Sequence, residues 1–248
     1  KKNLCPESKI TQNSGLNQFF NKIEVLKMKT AFITGASRGI GLAIKWKFIE
    51  EGYNTVCPTR CELDLANQKS VNDYCLLHKN DAFDVIINCA GINDITEIEK
   101  LSDEEMNRMI QVDLLAPIML VRAFIPAMKK QKYGRIVNIG SIWAQVSKPG
   151  RGMYSAAKNG IHGITNALAL EVAEKNILVN TVCPGFTLTE LTKKNNTPEQ
   201  IKQISSEIPM KRMAEPSEIA EVVYFLASDK NTYITGQKII VDGGYTAK

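Results

Sequence analysis

Short apolar runs alternate with segments in which apolar residues recur every three or four positions, and this alternation continues along most of the chain. The short runs are rich in β-branched residues and predict seven strands, at 30–34, 54–57, 62–65, 85–89, 135–139, 178–182 and 238–242. Amphipathic segments of helical period, such as 67–79, separate most of them. Strands that alternate with helices predict one doubly wound α/β domain, with a seven-stranded parallel sheet and helices on both faces.

This pattern divides the chain into a short extension and one domain. Residues 1–27 are polar, but five of their apolar residues recur at the spacing of an amphipathic helix: Leu16, Phe19, Phe20, Ile23 and Leu26. We expect an N-terminal extension that contains a short helix and has no catalytic role. Residues 28–248 form the domain. Within it, the polar stretch 186–214 is interpreted as a loop, long enough to be a mobile lid over a substrate site.

A glycine-rich turn joins the first predicted strand to the first predicted helix. Its sequence is Gly35-Ala36-Ser37-Arg38-Gly39-Ile40-Gly41. Glycines let the backbone approach a pyrophosphate closely, and free N–H groups at a helix N-terminus bind its charge. Strand, glycine turn and helix together predict a dinucleotide site. The alternative is a turn that serves only tight packing.

The end of the second strand indicates which dinucleotide binds. An acidic residue about 20 positions beyond the glycines is typical of NAD, because it binds the ribose 2′-hydroxyl. Thr59 and Arg60 stand there instead, and a hydroxyl with a guanidinium suits a 2′-phosphate. Arg38 adds a second cation, whereas Glu62 is an acidic residue close by. The sequence favours NADP(H), with NAD(H) as the alternative.

Tyr154 and Lys158 are four residues apart, so they lie on one face of the predicted helix that contains them. A phenol is a weak acid, and a nearby ammonium stabilises the phenolate. The pair can therefore give a proton to a carbonyl oxygen or take one from a hydroxyl. Ser141, thirteen residues before Tyr154, ends an apolar run and is a third candidate for the same site.

Composition and charge argue against several classes of protein. The net charge of the 248 residues is +5, but residues 1–27 alone carry five lysines and two glutamates. The domain is thus nearly neutral, which argues against nucleic acid as a partner. No run of eighteen apolar residues occurs, so no membrane span is expected. Six dispersed cysteines and two histidines favour a reducing cytoplasm and predict no metal site.

Several motifs occur in the order found in the short-chain dehydrogenase/reductase family, which the chain resembles from about Thr30 to Tyr245. After the glycine turn come Asp64, then Asn88-Cys89-Ala90-Gly91, then Ser141, Tyr154 and Lys158, then Pro184-Gly185, and finally Asp242-Gly243-Gly244. The resemblance implies a Rossmann sheet in the strand order 3-2-1-4-5-6-7 and assembly as a homotetramer.

The resemblance also assigns roles to individual residues. Tyr154 would be the general acid and base, Lys158 would hold the nicotinamide ribose, and Ser141 would hydrogen-bond the substrate oxygen. Thr189 would bind the nicotinamide carboxamide or the pyrophosphate. Together with Tyr154 and Lys158, the positions expected to contact the cofactor are Gly35, Ser37, Arg38, Gly39, Ile40, Gly41, Thr59, Arg60, Asp64, Leu65, Asn88, Ala90, Gly91, Pro184, Gly185 and Thr189.

Asp113 is a departure from the family, which usually has an asparagine at this place to hold a water of a proton relay behind the lysine. A carboxylate accepts the same hydrogen bonds but brings a negative charge near Lys158. That charge would offset part of the effect of the ammonium on Tyr154. We therefore count Asp113 among the catalytic residues and expect an altered pH profile.

The resulting function is an NADP(H)-dependent oxidoreductase that transfers hydride reversibly between nicotinamide and a carbonyl or secondary alcohol. Within the family the chain is most similar to the 3-oxoacyl-[acyl-carrier-protein] reductases, so the substrate would be a 3-oxoacyl thioester on a carrier protein. The short link between Arg60 and Asp64 keeps a sugar or polyol reductase of surface-polysaccharide synthesis open. A dinucleotide-binding regulatory protein without catalysis is the alternative from another class.

Overall fold

Six parallel strands form the sheet of the domain in the computed structural model, which describes residues 28–247. The strands are β1 (Thr30–Thr34), β2 (Asn54–Val56), β3 (Val85–Asn88), β4 (Gly134–Ile139), β5 (Ile177–Pro184) and β6 (Lys238–Val241). Their order across the sheet is β2-β1-β3-β4-β5-β6. The predicted α/β class and the doubly wound arrangement are confirmed. The helix predicted within 1–27 lies outside the described residues.

The predicted strand at 62–65 is wrong, and within residues 28–247 the sheet therefore has six strands rather than seven. The chain turns directly after β2, where Glu62 N and Leu63 N both donate to Thr59 O (3.1 and 2.9 Å). A crossover to a further parallel strand needs about a dozen residues, and far fewer separate Val56 from Glu62. Leu63 still reaches the core, which explains its apolar character. Among residues 28–247, no strand lies outside β2, which is the edge strand of the sheet.

Helices cover both faces of the sheet. They are α1 (Gly39–Glu50), α2 (Gln68–Leu77), α3 (Asp103–Ile110), α4 (Ala116–Gln131), α5 (Gly152–Val172), α6 (Glu190–Asn195), α7 (Pro198–Glu207) and α8 (Pro216–Ala227). Successive residues of β1 point to opposite faces. Phe32 therefore packs in the core beneath α2, α4 and α5, and Ile33 packs in the core beneath α1 and α8.

A π-helical turn, Gln111–Leu115, joins α3 to α4 and makes one helical run of 103–131. By length and composition alone, this is the one run among the described residues that could cross a membrane. More than half of its most apolar window is buried inside the protein, and it carries the buried Asp113. Those features are typical of a core helix.

The stretch 186–214 is not the loop that its polar sequence predicts. It folds into α6 and α7, each opened by a threonine whose side chain caps the helix. Thr197 and Gln200 form a reciprocal capping box. A bridge between Thr187 and Ala214 closes the base of the segment. Its polar composition reflects exposure of two short surface helices rather than a lack of regular structure.

Phe32→Ala tests the core on the α4 side of the sheet. The Phe32 ring lies 5.2 Å from the Phe83 ring and 5.3 Å from the Phe124 ring, measured between centroids. Because this ring is fully buried, we expect a loss of about 3–5 kcal/mol in the free energy of unfolding. Urea titration followed by circular dichroism measures it. The exposed Leu77→Ala should change it by about 0.5 kcal/mol or less, and equal losses in both variants would contradict this packing.

Candidate active site

The residues singled out by the sequence lie at the carboxyl ends of the parallel strands. Gly35 follows β1, Gly91 lies just beyond β3, Ser141 follows β4 and Gly185 follows β5. The chain passes from β1 to β2 on one side and then to β3 on the other, so the strand order reverses between β1 and β3. Ligands of open α/β sheets bind at such a switch point.

The glycine turn is shaped as a cradle for a phosphate. Gly35 has a φ of +72°, and a Cβ there would lie 2.8 Å from Ala90 N. A Cβ on Gly41 would lie 2.1 Å from Gly35 O, so neither position accepts a side chain. Helix α1 begins at Gly39 without a side-chain cap, which leaves its first N–H groups to bind an anion. These residues fit the pyrophosphate of a dinucleotide.

Thr34, which begins the glycine motif but for which the sequence predicted no role, ties the glycine turn to the end of β3. Its Oγ1 accepts hydrogen bonds from Cys89 N (3.1 Å) and Ala90 N (3.2 Å). The two strand ends are therefore held together next to the cradle. The sequence signal for this role was a threonine at the end of a buried strand, directly before the glycines.

Lys158 is buried on α5 and held in a defined place. Its Nζ donates to Ile139 O (3.0 Å) at the end of β4, and it lies 5.5 Å from the centre of the Tyr154 ring. Burial by itself lowers the pKa of a lysine, but Tyr154 and Asp113 together raise the pKa of Lys158 above its ordinary value. The side chain therefore stays an ammonium beside the phenol.

Asp113 forms an ion pair with Lys158, with 3.1 Å between Oδ1 and Nζ. Only 1% of Asp113 and 5% of Lys158 are exposed. The π-helical turn directs the carboxylate inward, as π-bulges often do at functional sites, and its Oδ2 accepts from Ile92 N (3.3 Å). Burial raises the pKa of Asp113, and the neighbouring ammonium opposes that rise. A Cβ on Gly91 would lie 2.5 Å from Oδ1, so this pair requires glycine there.

Ser141 lies at the end of β4, where its Oγ accepts a hydrogen bond from Trp143 N (3.2 Å). That bond occupies a lone pair of the Ser141 oxygen, so the hydroxyl proton remains available to be donated to a ligand. Ser141 is buried, whereas Tyr154, near the start of α5, is partly exposed. The structure thus brings Tyr154 and Lys158 together on α5, with Asp113 behind the lysine.

A chain of buried polar side chains supports this end of the sheet, and the sequence did not reveal it. Asn88 Nδ2 donates to Asn138 Oδ1 (2.8 Å), and Asn138 Nδ2 donates to Thr165 Oγ1 (3.0 Å). The hydroxyls of Thr165 and Thr181 are 2.8 Å apart. The signal was a polar residue near the carboxyl end of three of the apolar runs: Asn88, Asn138 and Thr181. Within the described part of the chain, Asn88 Oδ1 is buried without a partner.

The turn after β2 carries Glu62 and Arg60, the charged residues that affect whether NAD or NADP binds, and it gives them different surroundings. Thr59 donates to Glu62 Oε2 from both N (2.7 Å) and Oγ1 (2.8 Å), and these bonds lower the pKa of Glu62. Arg60 is 78% exposed, with its Nε 3.6 Å from Asp64 Oδ1. Asp64 also accepts from Ala66 N (3.1 Å). Glu62 is therefore engaged by the backbone, while the guanidinium of Arg60 remains accessible.

The segment after β5 reaches the glycine turn from the opposite side of the cleft. A Cβ on Gly39 would lie 3.3 Å from Thr189 Cγ2, so Thr189 borders the predicted pyrophosphate site. Pro184 ends β5, and a Cβ on Gly185 would lie 2.7 Å from the Cα of Asp242. The remaining predicted contacts Ser37, Arg38, Ile40 and Leu65 flank the turn or the end of β2 and are exposed or partly buried.

Aromatic rings line the other side of the cleft. The ring of Phe186 lies edge-on to Trp143 (6.0 Å between centroids) and to Tyr245 (5.2 Å). Lys148 and Arg151 lie over the Trp143 ring, at 5.4 and 5.6 Å from its centre. This wall is apolar, with a cationic rim. Among the described residues, no group of histidine, cysteine or carboxylate side chains could hold a metal ion.

Comparison with known proteins agrees with this geometry. Residues 55–246 match the family model described as "Enoyl-(Acyl carrier protein) reductase". The 3-oxoacyl-[acyl-carrier-protein] reductase FabG of Buchnera aphidicola subsp. Acyrthosiphon pisum (strain APS) is 37% identical over 239 residues, which cover 88% of this chain and 98% of the relative. The chain belongs to the short-chain dehydrogenase/reductase family. Members of this family are oxidoreductases, and this chain is an enzyme that interconverts CH–OH and C=O groups with a nicotinamide cofactor.

Other short-chain dehydrogenases/reductases match over similar lengths. The D-beta-hydroxybutyrate dehydrogenase of Rhizobium meliloti (strain 1021) is 34% identical over 257 residues, covering 89% of this chain and 99% of the relative. A solved "short chain dehydrogenase/reductase family protein" superposes with a TM-score of 0.79 at 28% identity, covering 88% of this chain and 97% of that one. The family fold predicted from the motifs is confirmed.

Asp113→Asn tests the buried ion pair. The change removes a negative charge 3.1 Å from Lys158, so the ammonium stabilises a phenolate at Tyr154 more strongly. The acid limb of the pH–rate profile for alcohol oxidation should move to lower pH by roughly one unit. The measurement is log kcat/KM against pH. Asp73→Asn, which breaks the exposed pair with Lys69, should leave the profile in place. An unmoved profile in Asp113→Asn would show that the carboxylate does not act through Lys158.

Proposed function

We propose that this chain is an NADP(H)-dependent reductase of 3-oxoacyl thioesters that works reversibly. The observation that carries the proposal is the buried ammonium of Lys158, which lies 5.5 Å from the Tyr154 ring at the carboxyl end of the sheet. This arrangement serves proton transfer to a carbonyl oxygen. The matched relatives include 3-oxoacyl-[acyl-carrier-protein] reductases, which favours a thioester as the substrate.

Each residue of the site has a separate task in reduction. The hydroxyl of Ser141, whose oxygen is already engaged by Trp143 N, donates a hydrogen bond to the substrate carbonyl oxygen. The phenol of Tyr154 gives its proton to the same oxygen, and Lys158 stabilises the phenolate that remains. Asp113 holds the ammonium in place. A nicotinamide bound in the cleft would supply the hydride, and in the oxidation direction Tyr154 would take the proton back.

The residues around the cleft fit a dinucleotide in three groups. The glycine turn and the uncapped start of α1 would hold the pyrophosphate. Asn88, Ala90 and Gly91 would shape the middle of the cleft, with Lys158 at the nicotinamide ribose. Arg60 and Arg38 would hold a 2′-phosphate, because both are exposed cations near the end of β2 or the start of α1. Engagement of Glu62 by Thr59 removes the carboxylate that would favour NAD.

The apolar wall formed by Trp143, Phe186 and Tyr245 suits the acyl chain of a thioester, and the Lys148 and Arg151 side chains suit a phosphate-bearing carrier arm. The lysines at 129, 130, 132 and 175 would add a basic surface for an acidic carrier protein. The proposal includes a homotetramer in the cytoplasm. Large exposed apolar side chains such as Leu170 on α5 and Phe225 on α8 support self-association.

The substrate and cofactor are tested together. Acetoacetyl thioester should be reduced with a higher kcat/KM for NADPH than for NADH. Arg60→Ala should lower kcat/KM for NADPH by about tenfold or more, the worth of a charged hydrogen bond, with little effect on NADH. The exposed Arg122→Ala is the control and should change neither. Turnover that prefers NADH would contradict the interpretation of the β2 end.

Binding of NADPH without turnover of the thioester would contradict the thioester proposal. A panel of sugars and polyols then separates the second candidate class from a regulatory protein that only binds the dinucleotide. The short link between Arg60 and Asp64 is the feature that keeps the sugar class on the panel.

Tyr154→Phe tests the proton transfer. Loss of the hydroxyl should lower kcat by about 10²–10⁴-fold, while the dissociation constant for NADPH, measured by fluorescence titration, changes little. Tyr233→Phe removes the hydroxyl of a highly exposed tyrosine and is the matched control. Substantial turnover in Tyr154→Phe would rule out this residue as the acid.

A further inference from the structure

Arg151 stands at the entrance to the helix that carries Tyr154. It is the residue that precedes α5, and its carbonyl accepts a hydrogen bond from Ser155 N (2.8 Å) in the first helical turn. Tyr154 follows three positions later, and side chains at that spacing on a helix have their Cβ atoms about 5–6 Å apart. A guanidinium is therefore carried beside the phenol, and the proposed proton transfer gives this cation no task.

Two other parts of the cleft hold the Arg151 side chain in place. Its Nη1 donates to Asn93 Oδ1, in the segment that follows β3. The same segment contacts the residue before Arg151, because Thr96 N donates to Gly150 O (3.2 Å). The guanidinium carbon lies 5.6 Å from the centre of the Trp143 ring. The cation is thus fixed between the segment after β3, the aromatic wall and the start of α5.

This fixed cation lacks a counter-ion within the described residues. Burial lowers the pKa of Arg151, and among residues 28–247 only Tyr154 opposes that effect. The Nε of Arg151 is buried without a hydrogen-bond partner in the same part of the chain. The more deeply buried Arg135 instead donates to three backbone carbonyls, so the fold itself uses its guanidinium. A desolvated charge without partners is costly, and Arg151 therefore favours an anionic ligand.

The position of the guanidinium favours a carboxylate that lies close to the reacting carbonyl. A guanidinium presents N–H donors in a planar fork that matches a carboxylate. Because Arg151 is fixed one helical turn before Tyr154, a substrate reaches both residues when its anion and its carbonyl are few bonds apart. A 3-oxo acid meets this condition, since two carbon–carbon bonds join its two functional groups. In a thioester the corresponding group is neutral, and the anion lies many bonds away on the carrier arm.

We propose that this enzyme also reduces free 3-oxo acids, and that Arg151 binds the carboxylate of these substrates. In the reaction, C3 accepts a hydride from a reduced nicotinamide, which is oxidised, while the π bond of the carbonyl breaks. The carbonyl oxygen takes the proton of Tyr154 and becomes the hydroxyl of a 3-hydroxy acid. The proposal rests on the proposed proton transfer by Tyr154, but it depends neither on the thioester substrate nor on the preference for NADP(H).

Acetoacetate and acetoacetamide test the charge, because they share a shape and differ in the carboxylate. The unchanged enzyme should reduce acetoacetate with a kcat/KM about tenfold or more above that for acetoacetamide, the worth of a charged hydrogen bond. Arg151→Met should remove this preference, mainly by raising KM for acetoacetate, and Arg151→Lys should restore part of it. Arg122→Met, which removes an exposed cation on α4, is the matched control and should leave the preference unchanged.

Binding of acetoacetate is measured separately from its turnover. A ketone mixed with the enzyme and oxidised cofactor has no hydride to accept, so calorimetric titration of that mixture gives a dissociation constant without reaction. Arg151→Met should raise this dissociation constant by about tenfold or more. Arg122→Met should leave it unchanged, and circular dichroism confirms that each variant is folded.

Three results would each overturn the proposal: no reduction of acetoacetate, equal kcat/KM for acetoacetate and acetoacetamide in the unchanged enzyme, or a dissociation constant that Arg151→Met does not move. Reduction of acetoacetyl thioester by the same preparation would then show that the proposed function stands without a carboxylate site. Conversely, acetoacetate that binds through Arg151 and is reduced, while the thioester is not, would support this inference and contradict the thioester proposal.

Discussion

A buried ammonium at the carboxyl end of the sheet is the constraint around which the site is built. Desolvation disfavours such a charge, so its neighbours must compensate for the water that it loses. Lys158 finds a backbone acceptor at Ile139 and a carboxylate at Asp113. Each partner imposes a condition on a different element: β4 must end beside α5, and the long helix must be interrupted by a π turn that directs Asp113 inward. Gly91 must remain glycine to make room.

The same end of the sheet carries a second set of polar contacts, which hold the strand ends in register. Thr34 joins β1 to β3, and the Asn88–Asn138–Thr165 chain joins β3 and β4 to α5. Buried hydrogen bonds are costly to break because the partner left behind loses its water as well. The cleft walls are therefore rigid where a dinucleotide is expected, while the aromatic wall and the two helices of 186–214 lie at the periphery.

Whether an element or a site residue could be predicted depended on whether its signal in the sequence was local. The glycine turn, the Tyr154 and Lys158 pair and the six remaining apolar runs are local patterns, and the structure contains each of the corresponding elements. The prediction of a strand at 62–65 was wrong because Leu63 is apolar in order to reach the core from a turn. An alternating pattern also does not reveal that the connection before it is too short for a crossover. The two helices of 186–214 were predicted as a loop because short exposed helices resemble loops in composition.

The sequence by itself determined the α/β class, the family and the residue types at the site, because periodicity and motif spacing are properties of the chain alone. Tertiary structure decided which side chains meet. Asp113 stands 45 positions before Lys158, and only the π turn places their charged atoms 3.1 Å apart. It also decided that Glu62 is engaged by Thr59 while the guanidinium of Arg60, 3.6 Å from Asp64, stays largely exposed. Such choices depend on the path of the backbone through space, which no local pattern encodes.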